Sequence, residues 1–295
     1  MSQPSSNLSP SQMKMAKYLL KRAIDYQQEC SKCTISDELI ERATPVLWRG
    51  ENVPGNIVTV GTNPSSKEFL NQDNELLAVA KARFFIREPH VSLEEYKEDD
   101  QQLEKTIDYY RTYFARNTAY RSWFGREGGG KLEAFINGMG GSFYNSNEYT
   151  PVIHMDLFPI PTRKQMGRIK LKEELLNSDF VSNSLVDLLA FLKPSLIIVL
   201  GKEHCERIVH SQNETYLGDV KFPRDFPDAA YQVGYYSTNK IPLLGLHFKP
   251  SEQFIGLGSK RDGNGLSHGT YGSSASLKLI GEQIRKDIVN SNIES

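Results

Sequence analysis

Short apolar runs that end abruptly in turn-forming sequence limit the possible folds of this chain more than any other feature. Asn56-Ile-Val-Thr-Val60 is stopped by Gly61-Thr-Asn-Pro64, Leu196-Ile-Ile-Val-Leu200 by Gly201, and Leu243-Leu-Gly-Leu-His-Phe248 by Lys249-Pro250. Such aliphatic and β-branched runs, with little polar alternation, are typical of strands covered on both faces. A fourth candidate, Pro151 to Leu157, runs into the Pro-rich Phe158-Pro-Ile-Pro-Thr162. Helical patterns lie between them. An amphipathic helix is expected from Met13 to Tyr26, with Met15, Tyr18, Leu19, Ala23 and Tyr26 near one face, and a short helix after Ser36. The capping box Ser92-x-x-Glu95 opens a helix that runs on towards Phe114. Leucines from Leu171 to Leu192 mark a helix in one or two pieces. Strands alternating with helices predict an α/β fold: a three-layer α/β/α arrangement around a mainly parallel, four-stranded central sheet.

No internal repeat and no linker divides the chain. A single domain is therefore expected over residues 12–295, with its core at about 55–255 and a disordered, polar lead-in at 1–11. The 295 residues suffice for a hydrophobic core without disulfides or metals. Lys+Arg numbers 35 against Asp+Glu 36, a formal net charge of -1, so a polyanion binder driven by overall charge is excluded while a local basic patch is not. The start of the chain lacks an apolar h-region and the longest apolar stretch is far too short for a bilayer. A cytoplasmic protein, most simply a monomer, with no membrane association is expected. Three cysteines, an odd number, do not make a disulfide framework.

Several motifs fail on context. Cys30-x-x-Cys33 lacks the second half of a zinc site, though His204-Cys205 could complete one, and no metal is expected. Gly125-Arg-Glu-Gly-Gly-Gly-Lys131 approaches a phosphate-cradling loop, but Leu132 stands where a hydroxyl should meet magnesium. Gly265-Leu-Ser-His-Gly269 fits the nucleophile-elbow pattern without a preceding buried strand and with no histidine after it. His154-x-Asp156 has the residue types of a metal site, and a structural role is expected there instead.

Ligands of open α/β sheets bind outside the carboxyl ends of the strands. Here those ends carry Gly61-Thr-Asn-Pro-Ser-Ser66, Asp156-Leu-Phe-Pro-Ile-Pro-Thr162 and His247-Phe-Lys-Pro-Ser251. The first resembles the first motif of the uracil-DNA glycosylase superfamily, and is most similar to the branches whose loop reads Gly-x-Asn-Pro-Gly. Lys193-Pro-Ser-Leu-Ile-Ile-Val-Leu-Gly201 is similar to the superfamily's penultimate strand, and Lys249-Pro250-Ser251 to its second motif, His-Pro-Ser or Asn-Pro-Ser. The order of these motifs over roughly residues 55 to 255 carries the resemblance, since each alone is a common turn.

The resemblance implies a cofactor-free glycosylase in DNA repair by base excision. Such an enzyme flips a uracil or other deaminated base out of DNA and hydrolyses its N-glycosidic bond. It gives Asn63 the task of orienting the attacking water. Gly61, Thr62 and Asp156 would line the base, with Phe84 or Phe85 stacking on it and the other of the pair in the core. Pro64, Ser65, Ser66, Pro250 and Ser251 would grip the DNA backbone. His247 and Lys249 would act near the leaving base. The basic run Arg163, Lys164, Arg168, Lys170 and Lys172 would meet phosphates. The plainer reading of Asn63 is an Asn that caps the turn before Pro64.

Two residues depart from the family pattern. Asp156 stands where an Asn commonly reads uracil, and an ionised carboxylate only accepts hydrogen bonds. It implies a different base or a protonated carboxyl, unless Asp156 faces away and caps the next loop. Lys249 stands at the family's His position, with His247 two residues before it on the same strand face. The runner-up is a non-catalytic protein of the same fold that binds nucleic acid or a nucleotide-like ligand. A third reading is an unrelated α/β hydrolase.

Overall fold

The computed structural model describes residues 8–144, 146–237, 239–250 and 272–291. In chain order its helices are α1 (Pro10–Ser31), α2 (Leu93–Glu98), α3 (Asp100–Arg111), α4 (Arg121–Phe124), α5 (Lys131–Gly138), α6 (Lys172–Leu176), α7 (Asp179–Leu192), α8 (Lys202–Ser211) and α9 (Ser274–Ser291). The strands are β1 (Ile57–Gly61), β2 (Gly141–Ser142), β3 (Thr150–Asp156), β4 (Leu196–Leu200), β5 (Tyr216–Leu217), β6 (Tyr231–Tyr236) and β7 (Ile241–Leu246). The chain divides into two compact units. One comprises Met1–Asn52, Thr62–Tyr113 and Met155–Lys193, the other Val53–Gly61, Phe114–His154 and Pro194–Ser295.

The second unit carries the sheet, apart from the last two residues of β3. Its order is β2-β3-β1-β4-β7-β6-β5, seven strands rather than four, so the class is α/β and the sheet is larger than expected. The four strands foreseen in the sequence lie side by side as β3-β1-β4-β7. β1 pairs parallel to β4, with Ile57 opposite Leu196, and β4 parallel to β7, with Ile197 opposite Leu243. Apart from the half-buried Leu196 and Ile241 at the starts of β4 and β7, their aliphatic side chains are buried, as the uninterrupted apolar runs require. The added strands extend the sheet at both ends, β2 on one side and β6 then β5 on the other. β5 and β6 join antiparallel, Tyr216 facing Tyr235, and β2 contributes two residues beside Thr150 and Pro151. Counting only the four central strands, the order is second, first, third, fourth, so sheet growth reverses between β1 and β4. The carboxyl ends at such a reversal are where open α/β sheets bind ligands.

Close helix packing supports this unit. A Cβ on Gly138 in α5 would lie 2.0 Å from the Lys278 carbonyl oxygen, and one on Gly281 in α9 would lie 2.3 Å from that of Phe135. Only glycine lets the two backbones approach this closely.

The first unit is helical. α1 begins at Pro10, capped by Ser9 in a reciprocal box with Gln12, so the helix takes in two residues assigned above to the lead-in. Leu19, Leu20, Ala23 and Ile24 of α1, Leu185, Leu188 and Leu189 of α7, and Leu103, Ile107 and Tyr110 of α3 are all buried. Each fully buried Leu or Ile contributes ~1.5–3 kcal/mol by leaving water. The Ser92 box forms as expected, but the helix it opens stops at Asp99, whose carboxylate accepts from the amides of Gln101 and Gln102 and starts α3. The leucine-rich segment likewise breaks, with Ser178 capping α7. Lys172–Leu192 reaches a mean hydropathy of 1.2, yet its longest helix is the 14-residue α7, about 21 Å against the roughly 30 Å of a bilayer core.

Candidate functional site

The loop that follows β1 is fixed by short polar side chains. Ser65 caps the single 3-10 turn Ser66–Glu68, and the Glu68 carboxylate returns to accept the Ser65 amide at 3.2 Å. The Thr62 carbonyl accepts the Phe158 amide at 2.9 Å, and Pro64 is buried. Within this loop Asn63 donates through Nδ2 to Thr162 Oγ1 at 2.9 Å and to the Pro64 carbonyl at 3.3 Å. Thr162 in turn donates to the Lys164 carbonyl at 2.7 Å. The two donations set the amide orientation and leave Oδ1 as the acceptor of a half-buried side chain. Asn63 therefore does more than cap the turn before Pro64: it joins the loop after β1 to the segment after β3.

Behind the loop lies a buried ionic cluster that sequence reasoning missed. Arg49, fully enclosed, donates from Nη2 and Nε to the two carboxylate oxygens of Glu68 at 2.8 and 3.2 Å, and from Nη1 to Asp156 Oδ2 at 2.8 Å. Tyr113 donates its hydroxyl to Glu68 Oε1 at 2.6 Å. The guanidinium packs over the rings of Phe84, 5.3 Å away, and Tyr113, 5.9 Å away. Burial works to lower the Arg49 pKa, but the charges of Glu68 and Asp156 outweigh it and the net shift is upward.

This cluster decides two of the sequence assignments. Phe84 is fully buried and stacks with Phe69 and Tyr113, with centroids 5.3 and 5.1 Å apart, so it walls the Arg49 cluster and has no face for a base. Phe85 is half-buried and stacks on Tyr96 at 5.9 Å. Asp156 does not stand alone; its carboxylate forms one arm of the Arg49 clamp. Arg163, Lys164, Arg168 and Lys170 are exposed on the segment that Thr162 ties to Asn63, with Lys164 paired to Glu38, whereas Lys172 is half-buried and paired to Glu173. Lys67 is exposed beside the turn, and its carbonyl accepts from Arg83.

In the second unit, β1 ends at the buried Gly61 and β4 runs into Gly201, whose φ of 108° suits glycine. A Cβ there would sit 3.4 Å from Lys249 Cε, an ordinary van der Waals contact, so it is the backbone conformation and not crowding that calls for glycine. Gln232 donates to the Gly218 carbonyl at 2.6 Å, so its Oε1 accepts from His247 Nε2 at 2.8 Å. In the neutral ring this leaves Nδ1 as the acceptor. Burial, then the charge of Lys202, lowers the His247 pKa, against the opposing pull of Glu206, which favours that neutral form. Pro250 is buried; Ser251 lies outside the described residues, as does the whole of Gly265-Leu-Ser-His-Gly269.

Lys131, the last residue of the Gly-rich run, opens α5 with a φ of 64°. All three cysteines are free, and burial pushes the Cys30 and Cys205 thiols up to about 12. His154 shares a 2.8 Å hydrogen bond with Thr59 and packs against Trp123 and Phe124. Among the described residues no three His, Cys, Asp or Glu side chains converge as metal ligands. No family model matches the chain, and no curated protein matches it.

Proposed function

We propose that this chain is a DNA glycosylase of the uracil-DNA glycosylase type, which positions water with Asn63 against the anomeric carbon of a flipped, deaminated nucleotide. One observation carries the reading: the Asn63 carboxamide gives its protons to Pro64 and Thr162 and keeps Oδ1 to accept. Glycosidic cleavage builds positive charge on the sugar, so the attacking water needs orientation more than deprotonation, and a fixed carbonyl oxygen supplies it. The strand order, with its reversal at β1, supports placing the chemistry at this loop. The exposed cations from Arg163 to Lys170 supply phosphate contacts on an otherwise neutral protein.

The engagement of Asp156 by Arg49 favours a second reading, a nucleic-acid binder of the same fold without cleavage, because the residue matched to base reading is already occupied. Labelled single- and double-stranded DNA carrying uracil, hypoxanthine or xanthine, developed with alkali to reveal abasic sites, separates the two. The glycosylase reading expects cleavage that Asn63→Ala abolishes while DNA binding persists. Binding that weakens with salt, without an abasic product at any protein excess, overturns catalysis on these lesions and leaves the binder.

A further inference from the structure

We infer that Arg49 is a positioning residue that sets where Asn63 presents its Oδ1, by clamping together the two segments that hold the loop after β1. A chain of contacts within one compact unit links Arg49 to Asn63. On one side Arg49 fixes Glu68, which accepts the Ser65 amide and the Tyr113 hydroxyl. On the other it fixes Asp156, the first residue of the segment whose Phe158 amide reaches Thr62 and whose Thr162 hydroxyl takes the Asn63 amide. Residues 62–65 are thus pinned at three points, and both anchoring segments end on one guanidinium. The planar fork serves two carboxylates at once, and one of them bidentately, which the point charge of lysine cannot reproduce. Nothing in the arrangement brings Arg49 to a substrate. It is fully enclosed among Glu68, Asp156, Phe84 and Tyr113, so it acts through the loop.

The catalytic consequence rests on the glycosylase reading, whereas the positioning itself does not, and the experiment keeps them apart. In Arg49→Lys, peptides covering 62–69 and 156–162 are followed by hydrogen exchange, with α7 as an internal reference. Exchange in both loop segments is expected to rise about tenfold or more while α7 is unchanged. Parent-like exchange in a folded Arg49→Lys protein overturns the clamp. Where Arg49→Lys does not fold, Asp156→Asn keeps the side-chain volume and weakens one arm only. Faster exchange confined to 156–162 and 62–65 supports the clamp, and unchanged exchange there overturns it.

If the parent cleaves a lesion, single-turnover cleavage by Arg49→Lys is expected to slow by on the order of a hundredfold with DNA affinity within about twofold of the parent. Equal loss of affinity and rate would mark a merely structural residue and overturn the positioning role. Absence of cleavage by the parent defeats the glycosylase reading alone, and the exchange result still decides the clamp.

Discussion

Two buried carboxylate sites in this molecule solve the same problem in opposite ways. Glu68 and Asp156 share a cation, Arg49, drawn from sequence positions 19 and 107 residues away. Glu133, fully buried in α5, has no cation bonded to it among the described residues. Its oxygens accept from Asn137 Nδ2 at 2.8 Å, Ser142 Oγ at 2.6 Å and the Phe143 amide at 3.1 Å, all within ten residues. Charge neutralised over long sequence separations ties distant segments together, whereas charge solvated by local donors shapes one turn. The first arrangement adjoins the candidate site and the second braces the helix that follows the Gly-rich loop.

Removing the cation breaks the first arrangement most completely. Arg49→Met takes the guanidinium from Asp156 and leaves Glu68, among the described residues, with the Ser65 and Tyr113 donors. A loss of about 3–5 kcal/mol is expected in urea unfolding. A cost under about 1 kcal/mol would show that the two carboxylates are protonated or hydrated and that the cluster is not an ion-pair clamp.

Glu133→Ala tests the second arrangement and is expected to cost somewhat less, roughly 2–4 kcal/mol, since three donors lose one acceptor but water can enter the space left. Its pH dependence has the opposite sign from that of an ordinary ion-paired carboxylate. Burial, the largest influence, raises the Glu133 pKa above its usual 4.5, and the Ser142, Phe143 and Asn137 hydrogen bonds only partly offset it. The folded state therefore binds this proton more tightly than the unfolded chain does. The stability it contributes is full below the unfolded value and is lost as pH rises through the folded one. Unfolding curves of parent and Glu133→Gln from pH 4 to 8 should diverge across that window, and parallel curves would remove the burial effect.

The same contrast explains what the sequence disclosed. The four central strands were legible because each apolar run is bracketed by Gly or Pro, and the capping boxes because they are local. Asp99 split a helix that periodicity ran together, since a carboxylate accepting two amides outweighs a continuous pattern. β5 escaped because it is two residues long, and β6 because it mixes polar and apolar residues around a glycine. Arg49 left no signal at all. It follows Trp48 in a buried segment outside any helix or strand, so no period places it, and Glu68 reads as an ordinary turn residue. Pairings over 19 and 107 residues are not written in local sequence.

Asp156→Asn separates charge from shape within the clamp. The variant keeps an oxygen that can accept from Nη1 and leaves Arg49 paired one-to-one with Glu68. A stability change within about 1 kcal/mol is expected, far from that of Arg49→Met. A loss as large as the arginine variant's would mean that both carboxylate charges are needed to hold the guanidinium.

The smallest expected effect on folding lies at the exposed end of the same region and bears on partner binding instead. Lys164 is 57% exposed and pairs with Glu38. Solvent and salt screen such a pair, so Lys164→Ala should change stability by at most about 1 kcal/mol. Its backbone carbonyl, which holds Thr162 and through it Asn63, survives the substitution, so the loop geometry should persist. If the cation also meets a phosphate, the slope of log affinity for DNA against log salt should fall by about one unit while any cleavage rate at saturation is unchanged. A parent-like slope would remove Lys164 from the interface. A slower saturated rate would show that the basic segment and the Asn63 loop answer to each other through more than the Lys164 carbonyl.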